Sequence, residues 1–109
     1  MDIEAILDQY GVVEELVLTE EFSDHLLERG TFEKHNVSLA EIVEVHERAP
    51  KYFLNREGRR APIIMLGTTD SGRLLCVPLE PSGQLGIWMP VTAFEANSHD
   101  VERYMGGQS

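Results

Sequence analysis

Pro62-Ile63-Ile64-Met65-Leu66-Gly67, Arg73-Leu74-Leu75-Cys76-Val77-Pro78-Leu79 and Leu85-Gly86-Ile87-Trp88-Met89-Pro90-Val91 are three apolar runs, separated by Thr69-Asp70-Ser71-Gly72 and Glu80-Pro81-Ser82-Gly83. Each separator ends in Ser-Gly, which places glycine where a hairpin needs positive φ. The pattern predicts a three-stranded meander with helical sequence on both sides of it. Trp88 and Phe94 fall at alternating spacing near the end of the meander and are expected on one side of the last strand.

Upstream, Ser38 followed by Glu41 makes a capping box, which predicts a helix over Leu39–Arg48 that ends at Ala49-Pro50. Lys51–Leu54 reads as a further strand. Ile3, Ile6, Leu7 and Tyr10 lie at helical spacing, so residues 2–10 form a short amphipathic helix ended by Gly11. Val12–Thr19 reads as a strand, Glu20–Arg29 as a helix capped by Thr19, and Phe32–Asn36 as a turn. After the meander, Asn97 or Ser98 starts a last helix over His99–Met105. The expected fold is α+β: a small mixed or antiparallel sheet of about four strands with flanking helices, in one domain over residues 1–109. Ile42, Val43, Ile64, Leu66, Leu75, Val77, Ile87 and Phe94 are the expected core.

The chain has 109 residues and a formal net charge of −10. Residues 1–33 hold ten of the 19 acids and one base, Arg29. By contrast Arg48, Lys51, Arg56, Arg59 and Arg60 stand close together, opposed by Glu57 alone. The acidic front serves solubility or, if residues 1–12 lie against the basic segment, screens it from nucleic acid. Cys76 is the single cysteine, so no internal disulfide forms, and its apolar neighbours suit a small buried hydrophobe. The opening residues carry no basic segment followed by an apolar stretch, and no run reaches membrane-spanning length. A cytoplasmic protein without membrane association is expected.

A resemblance sharpens these expectations. Lys34-His35-Asn36-Val37-Ser38 with Glu41-Ile42 and Glu44-Val45 resembles the K-H-G-V-S-x-x-E-x-x-E-V stretch of BrnT-like toxins. Leu66-Gly67-Thr68-Thr69 with Gly72-Arg73-Leu74-Leu75-Cys76-Val77 resembles their L-G-x-T-x-x-G-R-x-L-x-V hairpin, and Val91-Thr92-Ala93 with Glu102-Arg103-Tyr104 their closing strand and helix. It covers roughly residues 20–105, leaving residues 1–12 as an additional N-terminal helix. The resemblance implies a RelE-like fold, a metal-independent ribonuclease toxin of a toxin–antitoxin pair, and an antitoxin protein as partner. Three features depart from the family: Phe94 stands where an arginine is usual, Asn36 replaces a glycine, and the chain is acidic rather than basic.

Cleaving RNA without metal needs a base for the 2′-hydroxyl, a cation for the crowded phosphate and an acid for the leaving oxygen. The resemblance points to Lys34, His35, Arg60 and Arg73 for these roles, with Tyr104 in reserve. Lys51, Arg56 and Arg59 are the expected RNA contacts. The four histidines, His25, His35, His46 and His99, form no paired ligand motif with one another, so neither a metal nor another cofactor is expected. Two functions follow. One is a toxin-like RNA endonuclease. The alternative is a catalytically inactive relative that binds a host or antitoxin-like protein, as a mobile element or phage would encode; a homodimer is compatible with either.

Overall fold

The computed structural model describes residues 2–19 and 37–106, and among these it has three helices and six strands, against an expected sheet of about four strands. Asp2 caps α1 (Ile3–Tyr10) by accepting the Ala5 N–H at 2.9 Å. Ser38 and Glu41 close both halves of the capping box on α2 (Leu39–Glu47). Asn97 caps α3 (Ser98–Tyr104). The strands are β1 (Glu15–Leu16), β2 (Lys51–Leu54), β3 (Ile63–Thr68), β4 (Leu74–Pro81), β5 (Ile87–Pro90) and β6 (Phe94–Glu95). The expected helix over residues 20–29 and the turn at 32–36 lie outside the described residues, as do Lys34 and His35.

The sheet runs β1-β5-β4-β3-β2, with β6 beside the first half of β4. Only β1 against β5 is parallel, so the sheet is mixed. Of the strand expected over Val12–Thr19, only Glu15 and Leu16 pair. Gly11, at φ +87°, turns the chain tightly against Gly86, whose N–H donates to the Tyr10 carbonyl at 2.9 Å. That crossing leaves Val12 58 % exposed rather than laddered.

The second turn falls later than expected, because β4 continues through Pro81 and the chain reverses over Ser82–Gly86. Beyond it, β5 and β6 form one interrupted strand. Leu79 opposes Pro90 and Cys76 opposes Phe94, so Val77-Pro78 faces the three residues Val91-Thr92-Ala93. The extra residue is a β-bulge, and it inverts the side-chain alternation. Trp88 therefore faces α1 and α2, while Phe94 faces α3, so the expectation that they share a side is corrected.

Every residue from Ile63 to Gly67 is buried, because both faces of β3 are covered. On one face Ile63, Met65, Leu75, Val77, Leu79 and Trp88 pack with Ile6 of α1 and Ile42 and Val45 of α2. Gly67 lets α2 approach: a β-carbon there would stand 2.9 Å from Val45 Cγ1 and 3.0 Å from Pro50 Cβ. On the other face a smaller cluster joins Ile64, Leu66 and Cys76 to Phe53, Phe94, Ala96 and Tyr104. Of the expected core, Ile42, Ile64, Leu66, Leu75 and Val77 are buried, on two faces rather than one. Ile87 and Phe94 are half-buried, and Val43 is 38 % exposed on the outer side of α2.

Candidate functional site

Among the described residues α3, of seven residues, is the helix on this face of the sheet. Beside it a groove of about 840 Å³ opens between the β2–β3 loop, the middle of β4 and the bulge. Its floor includes Ile64, Cys76, Pro78, Thr92 and Phe94, and Arg56, Arg59, Arg60 and Arg103 line it with His99 and Asp100.

The loop at residues 55–62 presents three of these arginines. Asn55 fastens it: its amide donates to the Ala61 carbonyl at 2.9 Å, its N–H to the Pro62 carbonyl at 3.0 Å, and its side-chain oxygen accepts the Arg56 N–H at 2.8 Å. The short span leaves the Arg56 and Arg59 side chains directed into solvent, where neither makes an ion pair among the described residues. Arg60 pairs with Glu80, itself mostly buried. Arg103 reaches the groove from α3. It stacks 4.7 Å over the Phe53 ring, donates to the Leu54 carbonyl at 3.2 Å and lies 3.8 Å from Asp100. The groove thus carries four guanidinium groups against Asp100 and Glu80, on a chain whose net charge is −10.

Beneath the arginines the floor is partly polar. Asp100 is 6 % exposed. Burial above all, together with the neighbouring Asp100 and only partly offset by Arg103, pushes the Cys76 thiol up to about 12. Cys76 is therefore a thiol donor rather than a nucleophile. Thr92 Oγ1, brought to the floor by the bulge, is buried with no hydrogen-bond partner among the described residues.

Other expected site residues are employed elsewhere. Arg73 bridges Glu41 at 2.9 Å and Glu95 at 3.0 Å, tying the first turn of α2 to β6. It does not line the groove, and the structure does not bring it to Arg60. Burial raises the Glu41 carboxyl, but the Ser38 N–H and Arg73 outweigh this and hold it below its ordinary value. Lys51 donates to the Tyr104 carbonyl at 2.7 Å and sits over the Tyr104 ring, so it fastens the end of α3 instead of facing the groove. Arg48 pairs with Asp70 at the β3–β4 turn. The basic segment of the sequence is therefore divided: Arg56, Arg59 and Arg60 line the groove, whereas Arg48 and Lys51 make their contacts away from it. Arg103, His99 and Asp100 join from a helix more than 35 residues away in the chain, which no local spacing reveals.

The acidic α1 does not screen this site. It packs its Ile6 and Tyr10 against Trp88 and its neighbours, on the face of the sheet opposite the groove, and Trp88 Nε1 donates to the Gly11 carbonyl at 3.0 Å. Among the described residues no group of three or more histidine, cysteine, aspartate or glutamate side chains is placed to hold a metal ion, and no helix is long and apolar enough to cross a membrane. No protein-family model matches the chain, and no curated protein or solved structure matches it either.

Proposed function

We propose that the protein is a toxin-like, RNA-directed protein of RelE-like fold that cleaves single-stranded RNA without a metal. One observation carries this reading: four arginines from two separate elements line one groove in a strongly acidic chain. Phosphate recognition explains that concentration of guanidinium groups, which suit phosphate oxygens in geometry as well as charge. The resemblance to BrnT-like toxins adds to it. The position where those proteins usually carry arginine is Phe94, which lines this groove, so Arg56, Arg59 and Arg103 supply positive charge around the residue that has lost it.

In the proposed reaction the 2′-oxygen attacks the adjacent phosphorus, a P–O2′ bond forms and the P–O5′ bond breaks. The products are a 2′,3′-cyclic phosphate and a 5′-hydroxyl, the latter taking up the proton released from the 2′-hydroxyl. Arg56 and Arg59 stabilise the charge that gathers on the phosphoryl oxygens. His99 is the proton-transfer group of the groove. The purified chain, incubated with total RNA in excess EDTA, should yield fragments with cyclic phosphate ends. His99→Ala should abolish cleavage, and the Arg56→Ala/Arg59→Ala double variant should abolish both binding and cleavage.

The inactive, protein-binding alternative is favoured by a different observation. Arg73 is neutralised by two carboxylates, and Phe94 occupies the arginine position of the resemblance. An RNA that binds through the arginines and is never cut supports that alternative for the chemistry. An antitoxin-like partner that binds the chain with no RNA affinity present supports it for the whole function.

A further inference from the structure

The groove floor holds two polar features that phosphate binding does not use. Asp100 is a carboxylate beneath a rim of arginines, where a phosphate would be repelled by it. Its carboxylate lines the groove beside Cys76, with Arg103 at 3.8 Å, so acceptor capacity remains toward the groove. Thr92 Oγ1 is buried beside the same groove and has no partner among the described residues. An unfilled buried hydroxyl is a standing cost to the fold. The bulge that brings Thr92 there also turns Phe94 onto this face.

We infer that the floor is a base-recognition subsite for guanine, in which Asp100 accepts the base's paired N–H donors, Thr92 supplies a hydroxyl and Phe94 an aromatic face. The inference rests on the RNA-directed reading above. It follows from matching donors to acceptors. A carboxylate offers two adjacent acceptors and no donor. Guanine alone among the RNA bases presents two adjacent donors, N1–H and the 2-amino group, on its Watson–Crick edge. Adenine and cytosine each place a ring acceptor beside their amino group, and uracil flanks its single N–H with carbonyls. An aromatic side chain beside the acceptor adds stacking, which recognises a base plane without regard to sequence. The arginines then hold the attached phosphate, so a free guanine nucleotide and a guanine within single-stranded RNA share the required chemistry.

The test uses the full chain and four probes: GMP, AMP, inorganic phosphate, and a short single-stranded RNA with its one guanine retained or replaced by adenine. Calorimetry should show GMP binding at least about tenfold tighter than AMP or phosphate, because a site built for donors rejects a base that lacks them. Asp100→Asn should bring GMP down to the AMP level. Since Asp100 also contacts Cys76 and Arg103, Thr92→Val is the companion variant. It removes a hydroxyl that the described fold does not use, so the melting temperature should hold or rise while GMP affinity falls about tenfold. Equal binding of GMP and AMP, or a Thr92→Val protein that binds GMP as tightly as the parent, overturns the subsite. RNA that binds through the arginines with no preference for its guanine overturns the subsite and leaves the RNA-directed reading standing. GMP selectivity without RNA binding does the reverse.

Discussion

The two faces of the sheet are built for different ends. One is sealed by α1 and α2 over Trp88, Ile63, Met65 and Leu79, with every acidic side chain of α1 kept outside the core. Among the described residues the other is crossed by one short helix, α3, and the space beside it is lined with arginines. On the sealed face, tight approach is required, as Gly67 shows. On the open face charge is concentrated although no packing demands it. A small domain can therefore place its stability on one side of a sheet and leave the other free for a site.

The comparison predicts large losses of stability on the sealed face. Trp88→Ala removes a fully buried ring together with its bond to the Gly11 carbonyl and should cost about 3–5 kcal/mol in urea unfolding. Deleting residues 2–11 should unfold the chain for the same reason rather than expose a hidden RNA site. A folded truncation with raised RNA affinity would break the comparison.

A smaller effect is expected where the two faces meet the Arg73 bridge. Arg73→Ala should cost about 1 kcal/mol, because its two ion pairs are partly exposed. The bridge also sets a pH dependence. Glu41 is held below its ordinary value of 4.5 in the folded state, so its contribution is fully present above 4.5 and is lost as the pH falls through the depressed folded value. Acid titration of stability should be steeper for the parent than for Glu41→Gln. Identical acid profiles would remove Glu41 from the account.

Much of the sealed face was legible in the sequence. The Ser38–Glu41 capping box, the helical spacing in α1 and the Asp-Ser-Gly turn are local signals, and each marks the element it predicts. The bulge was not legible, because the spacing of Trp88 and Phe94 is the same with or without it; only the pairing with Val77-Pro78 reveals the extra residue. The same limit applies to the site. Arg56, Arg59 and Arg60 announce themselves as a run. Arg103, Asp100 and Thr92 reach the groove through tertiary packing, and only the structure shows Arg73 paired with Glu41 and Glu95 away from it.

The smallest effect on stability is expected on the open face. The Arg56→Ala/Arg59→Ala variant should unfold within about 0.5 kcal/mol of the parent, since neither side chain has an ion-pair partner among the described residues. That variant also tests the central claim most directly, through the salt dependence of binding to a short single-stranded RNA. Each phosphate contact on a single strand contributes about −0.7 to the slope of log affinity against log salt. The parent should bind at low salt with a clear negative slope, and the variant should bind far more weakly with a slope flatter by about 1.4. Equal affinities and equal slopes for the two proteins, or no RNA binding by the parent at low salt, would contradict the assignment of the groove to RNA.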